Sequence, residues 1–230
     1  MAELVLALDL PTAAEALELL DRLPRLKWVK VGPILMTREG PQLIRGLLSR
    51  RLQVFLDLKW HDIPNTVAGA VTAAREMGVG MATVHTLGGR AMLEAAVLAA
   101  GSDLVLLGVT VLTSLDAVSY GRAVGRTDVE LSAEVERLGA IAVDAGLGGI
   151  VCSPKEVSVL RRGLGPEPYI VVPGIRGLSD SLGDQSRVAT ATDAVRNGAT
   201  HLVVGRPILQ ASDPAAALER LMKEAQCTDC

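Results

Sequence analysis

VFLDLKWHDIPNTVAGAVTAAREMGVGMATVH, residues 54–85, holds three kinds of segment in a fixed order. It opens on a short run rich in apolar and β-branched residues, Val54 to Lys59, and crosses His61-Asp62-Ile63-Pro64-Asn65, where a proline interrupts the pattern. Residues 66–77 then carry apolar side chains three and four apart, the spacing of one helix face. Gly78 stands where a helix ends on a left-handed residue, and a second short apolar run, Met81 to His85, follows. Strand, helix, strand in that order is a crossover unit that lays its two strands parallel.

The same alternation fills the chain on both sides. Eight short apolar runs occur at residues 4–9, 28–32, 54–59, 81–85, 104–110, 149–153, 169–174 and 201–205. Helical patterns lie between them, as at 13–23 and 215–221, and Gly101, Gly146 and Gly198 repeat the capping role of Gly78. Eight strands with about eight helices fit a closed α/β fold, a single (β/α)8 TIM barrel over residues 1–226 followed by a tail at 227–230. An open doubly wound sheet is the alternative; it wants a glycine-rich turn after its first strand, and Asp9-Leu10-Pro11-Thr12 has none.

Composition narrows the function. The 230 residues are 49% hydrophobic and 21% charged with a net charge of −3, which is a globular chain with no polyanion footprint. One Phe, two Tyr and two Trp cannot build a stacking platform for successive bases, so a nucleic acid partner is excluded. The most apolar run, residues 104–112, is far shorter than the roughly 20 residues a membrane helix needs. The opening MAELVLALDLP carries Glu3 and Asp9 and lacks the basic start of a signal peptide, which predicts a cytoplasmic protein. Cys152 reads as a buried free thiol; Cys227 and Cys230 have redox spacing without the strand that such a motif needs.

In a barrel of this kind, active sites form where strands end. Asp9, Lys30, Asp57, Lys59, His85, Thr110, Thr113, Ser153, the Pro173-Gly174-Ile175-Arg176 turn and Gly205-Arg206 all fall at such ends. The chain has 18 Arg but five Lys, and two of those five, Lys30 and Lys59, sit on this rim. A primary amine can give up a proton, whereas a guanidinium stays charged. In Asp57-Leu58-Lys59 the period of two turns both polar side chains into the barrel mouth and Leu58 toward the helices. Neighbouring carboxylates favour the ammonium form, which suits a general acid better than a Schiff-base nucleophile. A structural ion-pair network is the bland alternative. Among the histidines, His61 is assigned to loop structure and His85 to a satisfied polar position facing the pocket. No two His have the spacing of a zinc site.

The segment Asp57-Leu58-Lys59-Trp60-His61-Asp62-Ile63-Pro64-Asn65-Thr66 resembles the signature of the orotidine 5′-monophosphate decarboxylase family. Asp9, Lys30 in Trp-Val-Lys-Val-Gly, the run ending at Thr113, the turn at Arg176, Asp184-Gln185 and Gly205-Arg206 accompany it in the family's order across nearly the whole chain. Trp60, where the family more often has a smaller or unbranched apolar residue, and the cysteine-bearing tail depart from the pattern. The resemblance implies cofactor-independent conversion of orotidine 5′-monophosphate to uridine 5′-monophosphate in de novo pyrimidine synthesis, without metal. It implies Lys59 as proton donor to C6, Asp57 beside the departing carboxylate, and Lys30 with Asp62 completing the charge array. Asp9 and Lys30 would bond the ribose, Thr113 the pyrimidine edge, and Arg176, Gln185, Gly205 and Arg206 the phosphate side. Asp62, Ile63 and Thr66 would reach the neighbouring site of a homodimer.

The polar, glycine-bounded stretch at 177–184 predicts a lid that brings Arg176 and Gln185 onto the phosphate. Two alternatives stand beside this reading. A metal-dependent sugar-phosphate decarboxylase shares the Asp-x-Lys-x-x-Asp spacing, but needs an acidic ligand where Lys30 stands, and a lysine there repels magnesium. A non-catalytic phosphate-ligand barrel would need only Gly205-Arg206.

Overall fold

The computed structural model describes residues 2–176 and 189–226. Its strands are β1 Glu3–Ala7, β2 Trp28–Val31, β3 Gln53–Trp60, β4 Met81–His85, β5 Val105–Val109, β6 Gly149–Val151, β7 Tyr169–Pro173 and β8 His201–Val204. Each pairs in parallel with the next, and β8 closes on β1 through Glu3 opposite His201, so the sheet is a closed barrel. All eight runs read from the sequence are strands, and the open sheet is ruled out.

The outer layer comprises α1 Ala13–Asp21, α2 Pro33–Ser49, α3 Pro64–Met77, α4 Arg90–Ala100, α5 Ala117–Val124, α6 Leu131–Asp144, α7 Val157–Leu164, α8 Ala191–Arg196, α9 Arg206–Leu209 and α10 Pro214–Gln226. Pro64 opens α3 at the position where a missing N–H costs nothing. Gly78 ends it at φ 84, ψ 22, as its place in the sequence predicts. Gly101 also has positive φ but extended ψ (59, −144), so it leaves α4 without the left-handed helical cap expected there. No helix among the described residues is long and apolar enough to cross a membrane.

Two apolar layers follow from strand alternation. Leu4, Leu6, Val29, Val54 and Leu56 point outward into the main core beneath the helices. Val5, Ala7, Phe55, Met81, Leu107, Val171 and Val203 point inward and fill the barrel. Three rings plug its N-terminal end, with His201 edge-on to Trp28 and to Tyr169 at centroid distances of 5.9 and 5.0 Å. Trp60 and Leu58 pack outward against the main core, so Trp60 lies away from the barrel mouth.

A buried acid ties the segment after β5 to the outer layer. Glu134 on α6 accepts hydrogen bonds from Tyr120 Oη (2.7 Å), Arg126 Nη1 (3.0 Å) and Arg137 Nη2 (2.7 Å). Arg137, and behind it Tyr120 and Arg126, outweigh burial and hold the Glu134 carboxyl at a pKa of about 2, while burial and Glu134 push Tyr120 up to about 12. A carboxyl depressed in the folded state contributes stability above its unfolded pKa, and that stability is lost as pH falls toward the folded value. Glu134→Gln is therefore expected to cost about 1–3 kcal/mol at neutral pH. Its denaturant-unfolding stability should also fall less steeply than wild type between the ordinary glutamate range and about pH 2. Equal slopes in the two proteins would dismiss this cluster as a source of acid lability.

Candidate active site

The strand ends open into a cavity of about 630 Å³. Ala7, Phe55, Val171 and Val203 of the inner layer form its floor, and Asp9, Lys30, Asp57, Lys59, Thr113, Arg176, Gly205 and Arg206 line it above. Eight strand-end positions named from the sequence thus converge on one concave site. Phe55 is the one aromatic among the described lining residues.

Four charges of alternating sign run along one side. Lys30 Nζ lies 3.2 Å from Asp9 Oδ1 and 3.6 Å from Asp57 Oδ2, and Lys59 Nζ lies 2.8 Å from Asp57 Oδ1. Each Asp57 oxygen therefore faces a different ammonium. Burial raises the Asp57 carboxyl, but Lys30, Lys59 and the Thr83 hydroxyl together outweigh it and the net shift is downward. Asp57 is held as an anion above the apolar floor, with 12% of its side chain exposed, against 38% for Lys59.

The strand that carries this pair is not regular, which corrects the simple alternation read from Asp57-Leu58-Lys59. Leu56 pairs with Ala82 and Trp60 with Val84, so three residues of β3 face Thr83 alone. Lys59 sits at φ 50, and only Arg51 shares a positive φ among the described non-glycine residues. The bulge, not the pleat alone, brings Lys59 back beside Asp57. Its backbone N–H donates to Thr83 Oγ1 at 2.8 Å, and that hydroxyl donates to Asp57 Oδ1 at 3.0 Å. Thr83 was missed from the sequence, where it reads only as a β-branched strand former. Gln210, which lines the cavity near Arg206, was missed as well.

Other rim residues have structural partners. The Thr110 hydroxyl donates to the Val151 carbonyl at 3.0 Å, and the Ser153 hydroxyl hydrogen-bonds the Glu156 carboxylate. His85 does not line the cavity, contrary to expectation; its ring stacks on His61 at 5.3 Å, and its Nδ1 accepts from the Leu87 N–H. Burial, then the neighbouring His61 and Lys59, pushes His85 down to about 4. Cys152 is a buried free thiol whose pKa burial raises well above normal.

Asp62, Ile63 and Thr66 are exposed and line no part of their own chain's cavity. Asp62 accepts from the Ile63 N–H, and Ile63 leaves 67% of its surface open. Gln185, the lid expected at 177–184, and Cys227 and Cys230 lie outside the described residues. Among the described residues no group of three or more His, Cys, Asp or Glu is placed to hold a metal ion.

Comparison with known proteins gives one family. Residues 2–221 match the model of the Orotidine 5'-phosphate decarboxylase / HUMPS family. A protein of Halorhodospira halophila named orotidine 5'-phosphate decarboxylase is 50% identical over 225 residues, covering 96% of this chain and 94% of its own. One of the same name from Anaeromyxobacter dehalogenans is 50% identical over 212 residues, covering 92% of each. The crystal structure of orotidine 5'-phosphate decarboxylase from Lactobacillus acidophilus superposes with a TM-score of 0.87 at 34% identity, covering 99% of this chain and all of that one.

Proposed function

The chain belongs to the Orotidine 5'-phosphate decarboxylase / HUMPS family, and from that membership we propose that it converts orotidine 5′-monophosphate to uridine 5′-monophosphate and carbon dioxide, in pyrimidine biosynthesis. The observation that carries this reading is the file Asp9, Lys30, Asp57, Lys59 at the cavity mouth, with each ion pair within 3.6 Å.

The chemistry requires such a file. When the bond between C6 and the carboxylate breaks, its electron pair stays on a ring carbon that has no attached electron sink. An ammonium aimed at C6 stabilises that charge as it develops and then supplies the proton that quenches it. Lys59 fills both roles, and water returns its proton after product leaves. Asp57, already anionic, orients Lys59 and lies beside the substrate carboxylate. Lys30 keeps Asp57 charged and, with Asp9, bonds the ribose hydroxyls. Thr113 meets the pyrimidine edge. Arg176, Gln185, Gly205 and Arg206 hold the phosphate, whose binding energy can be spent on ordering and desolvating the reacting end.

The enzyme acts as a cytoplasmic homodimer, in which Asp62, Ile63 and Thr66 enter the partner's site and Asp62 extends the charge file. Their exposure in the single chain supports this arrangement. The sugar-phosphate alternative is not favoured, because an ammonium at Lys30, 3.2 Å from Asp9 and 3.6 Å from Asp57, occupies the place where a divalent cation would need a third oxygen ligand.

An ultraviolet assay of the purified protein tests the reading. Orotidine 5′-monophosphate should disappear at the same rate with and without chelator. Turnover that depends on added magnesium would turn the assignment toward the sugar-phosphate chemistry, and no turnover in either condition would overturn it.

A further inference from the structure

Parallel strands satisfy each other through evenly spaced ladder bonds, and a bulge leaves the extra residues of the longer strand without ladder partners. Between Leu56 and Trp60, β3 has three residues where β4 has one. Lys59, the last of the three, is turned to φ 50, a conformation that costs a non-glycine residue free energy unless its surroundings hold it. What holds it is a side chain: the Thr83 hydroxyl takes the Lys59 N–H at 2.8 Å and gives its own hydrogen to Asp57 Oδ1 at 3.0 Å. That same Asp57 oxygen is the one 2.8 Å from Lys59 Nζ. Thr83 is completely buried and lines no part of the cavity.

We infer that Thr83 is a positioning residue, which fixes both the bulged backbone of Lys59 and the carboxylate that aims its ammonium, without touching the substrate. The hydroxyl is suited to this because it donates and accepts at once, whereas a backbone carbonyl on β4 could only accept. Displacing a reacting group by about 1 Å can cost on the order of a hundredfold in rate, so this closed ring of three contacts bears directly on turnover.

The kinetic consequence rests on the decarboxylase reading; the structural one does not, and the experiment separates them. Wild type, Thr83→Val and Thr83→Ser are compared for kcat and KM on orotidine 5′-monophosphate and for hydrogen exchange at the Lys59 amide. Valine keeps the shape and loses the hydroxyl, and should lower kcat by about 10- to 100-fold with KM within about threefold of wild type. Its Lys59 amide should exchange at least about tenfold faster. Serine keeps the hydroxyl and should stay within about threefold of wild type on each measure. If the valine variant does not fold, Thr83→Ala against Thr83→Ser isolates the hydroxyl instead. Unchanged kcat and amide protection without the hydroxyl, or an equal fall in the serine variant, would overturn the inference. A wild type inert toward the substrate, with the Lys59 amide still released only when the hydroxyl is removed, would defeat the decarboxylase reading and leave the positioning role standing.

Discussion

Replacing Lys59 with alanine should lower decarboxylation of orotidine 5′-monophosphate by about ten-thousand-fold or more, because in the proposed mechanism one ammonium both stabilises the charge that develops on C6 and protonates it. The fold should survive. The Lys59 side chain is 38% exposed and its ion pair is with Asp57, which keeps Lys30 at 3.6 Å and the Thr83 hydroxyl at 3.0 Å. The backbone bond from Lys59 to Thr83 does not involve the lost atoms. Circular dichroism and thermal unfolding should therefore match wild type within the scatter of surface substitutions. Lys59→Arg separates the two contributions, since a guanidinium keeps the charge and cannot give up its proton. It should remain at least about a hundredfold below wild type. Near-normal turnover in either variant would remove Lys59 from the proton-donor role.

The barrel was legible because its signal is periodic. Short β-branched runs and 3.6-period segments alternate along the chain, and the inward layer at Val5, Phe55, Met81, Leu107, Val171 and Val203 obeys strand alternation. The charge file was legible for a related reason: strand ends are where this fold exposes polar groups to a common space, so Asp9, Lys30, Asp57 and Lys59 converge without any knowledge of side-chain geometry. What escaped is non-periodic. A bulge inserts residues without changing their types, so Asp57-Leu58-Lys59 reads as plain pleat although Lys59 is left-handed. Thr83 escaped with it, since its role is set by a partner 24 residues earlier in the chain. His85 was placed facing the pocket because it ends β4, but its ring instead stacks on His61, a contact between the end of β4 and the segment after β3 that no local pattern encodes. The aromatic shortage also gains a location. Trp28 and Tyr169 plug the far end of the barrel and Trp60 packs outward, so of the rings only Phe55, in the floor, is left near a bound pyrimidine among the described residues.

Mixing two inactive variants should restore activity if the site is shared between subunits. In a twofold dimer every site would contain Lys59 of one chain and Asp62 of the other. Lys59→Ala homodimers lack the acid in both sites, and Asp62→Ala homodimers lack the incoming carboxylate in both. A mixed dimer has one site with both defects and one with neither. Random re-association at equal concentrations should therefore recover about a quarter of wild-type specific activity, since about half the dimers are mixed and one site in each is intact. The exposed positions of Asp62, Ile63 and Thr66 make such an exchange geometrically open, and the 67% exposure of Ile63 leaves an apolar side chain for the partner to cover. Asp62 accepts a hydrogen bond from the next residue's N–H at one carboxylate oxygen, so in such a dimer the other oxygen would be open to the partner. Native mass measurement must confirm that mixed dimers form. Their formation without recovery would mean that Lys59 and Asp62 act within one chain, and the charge file would then have to close through movement of the segment joining β3 to α3 rather than through a neighbour.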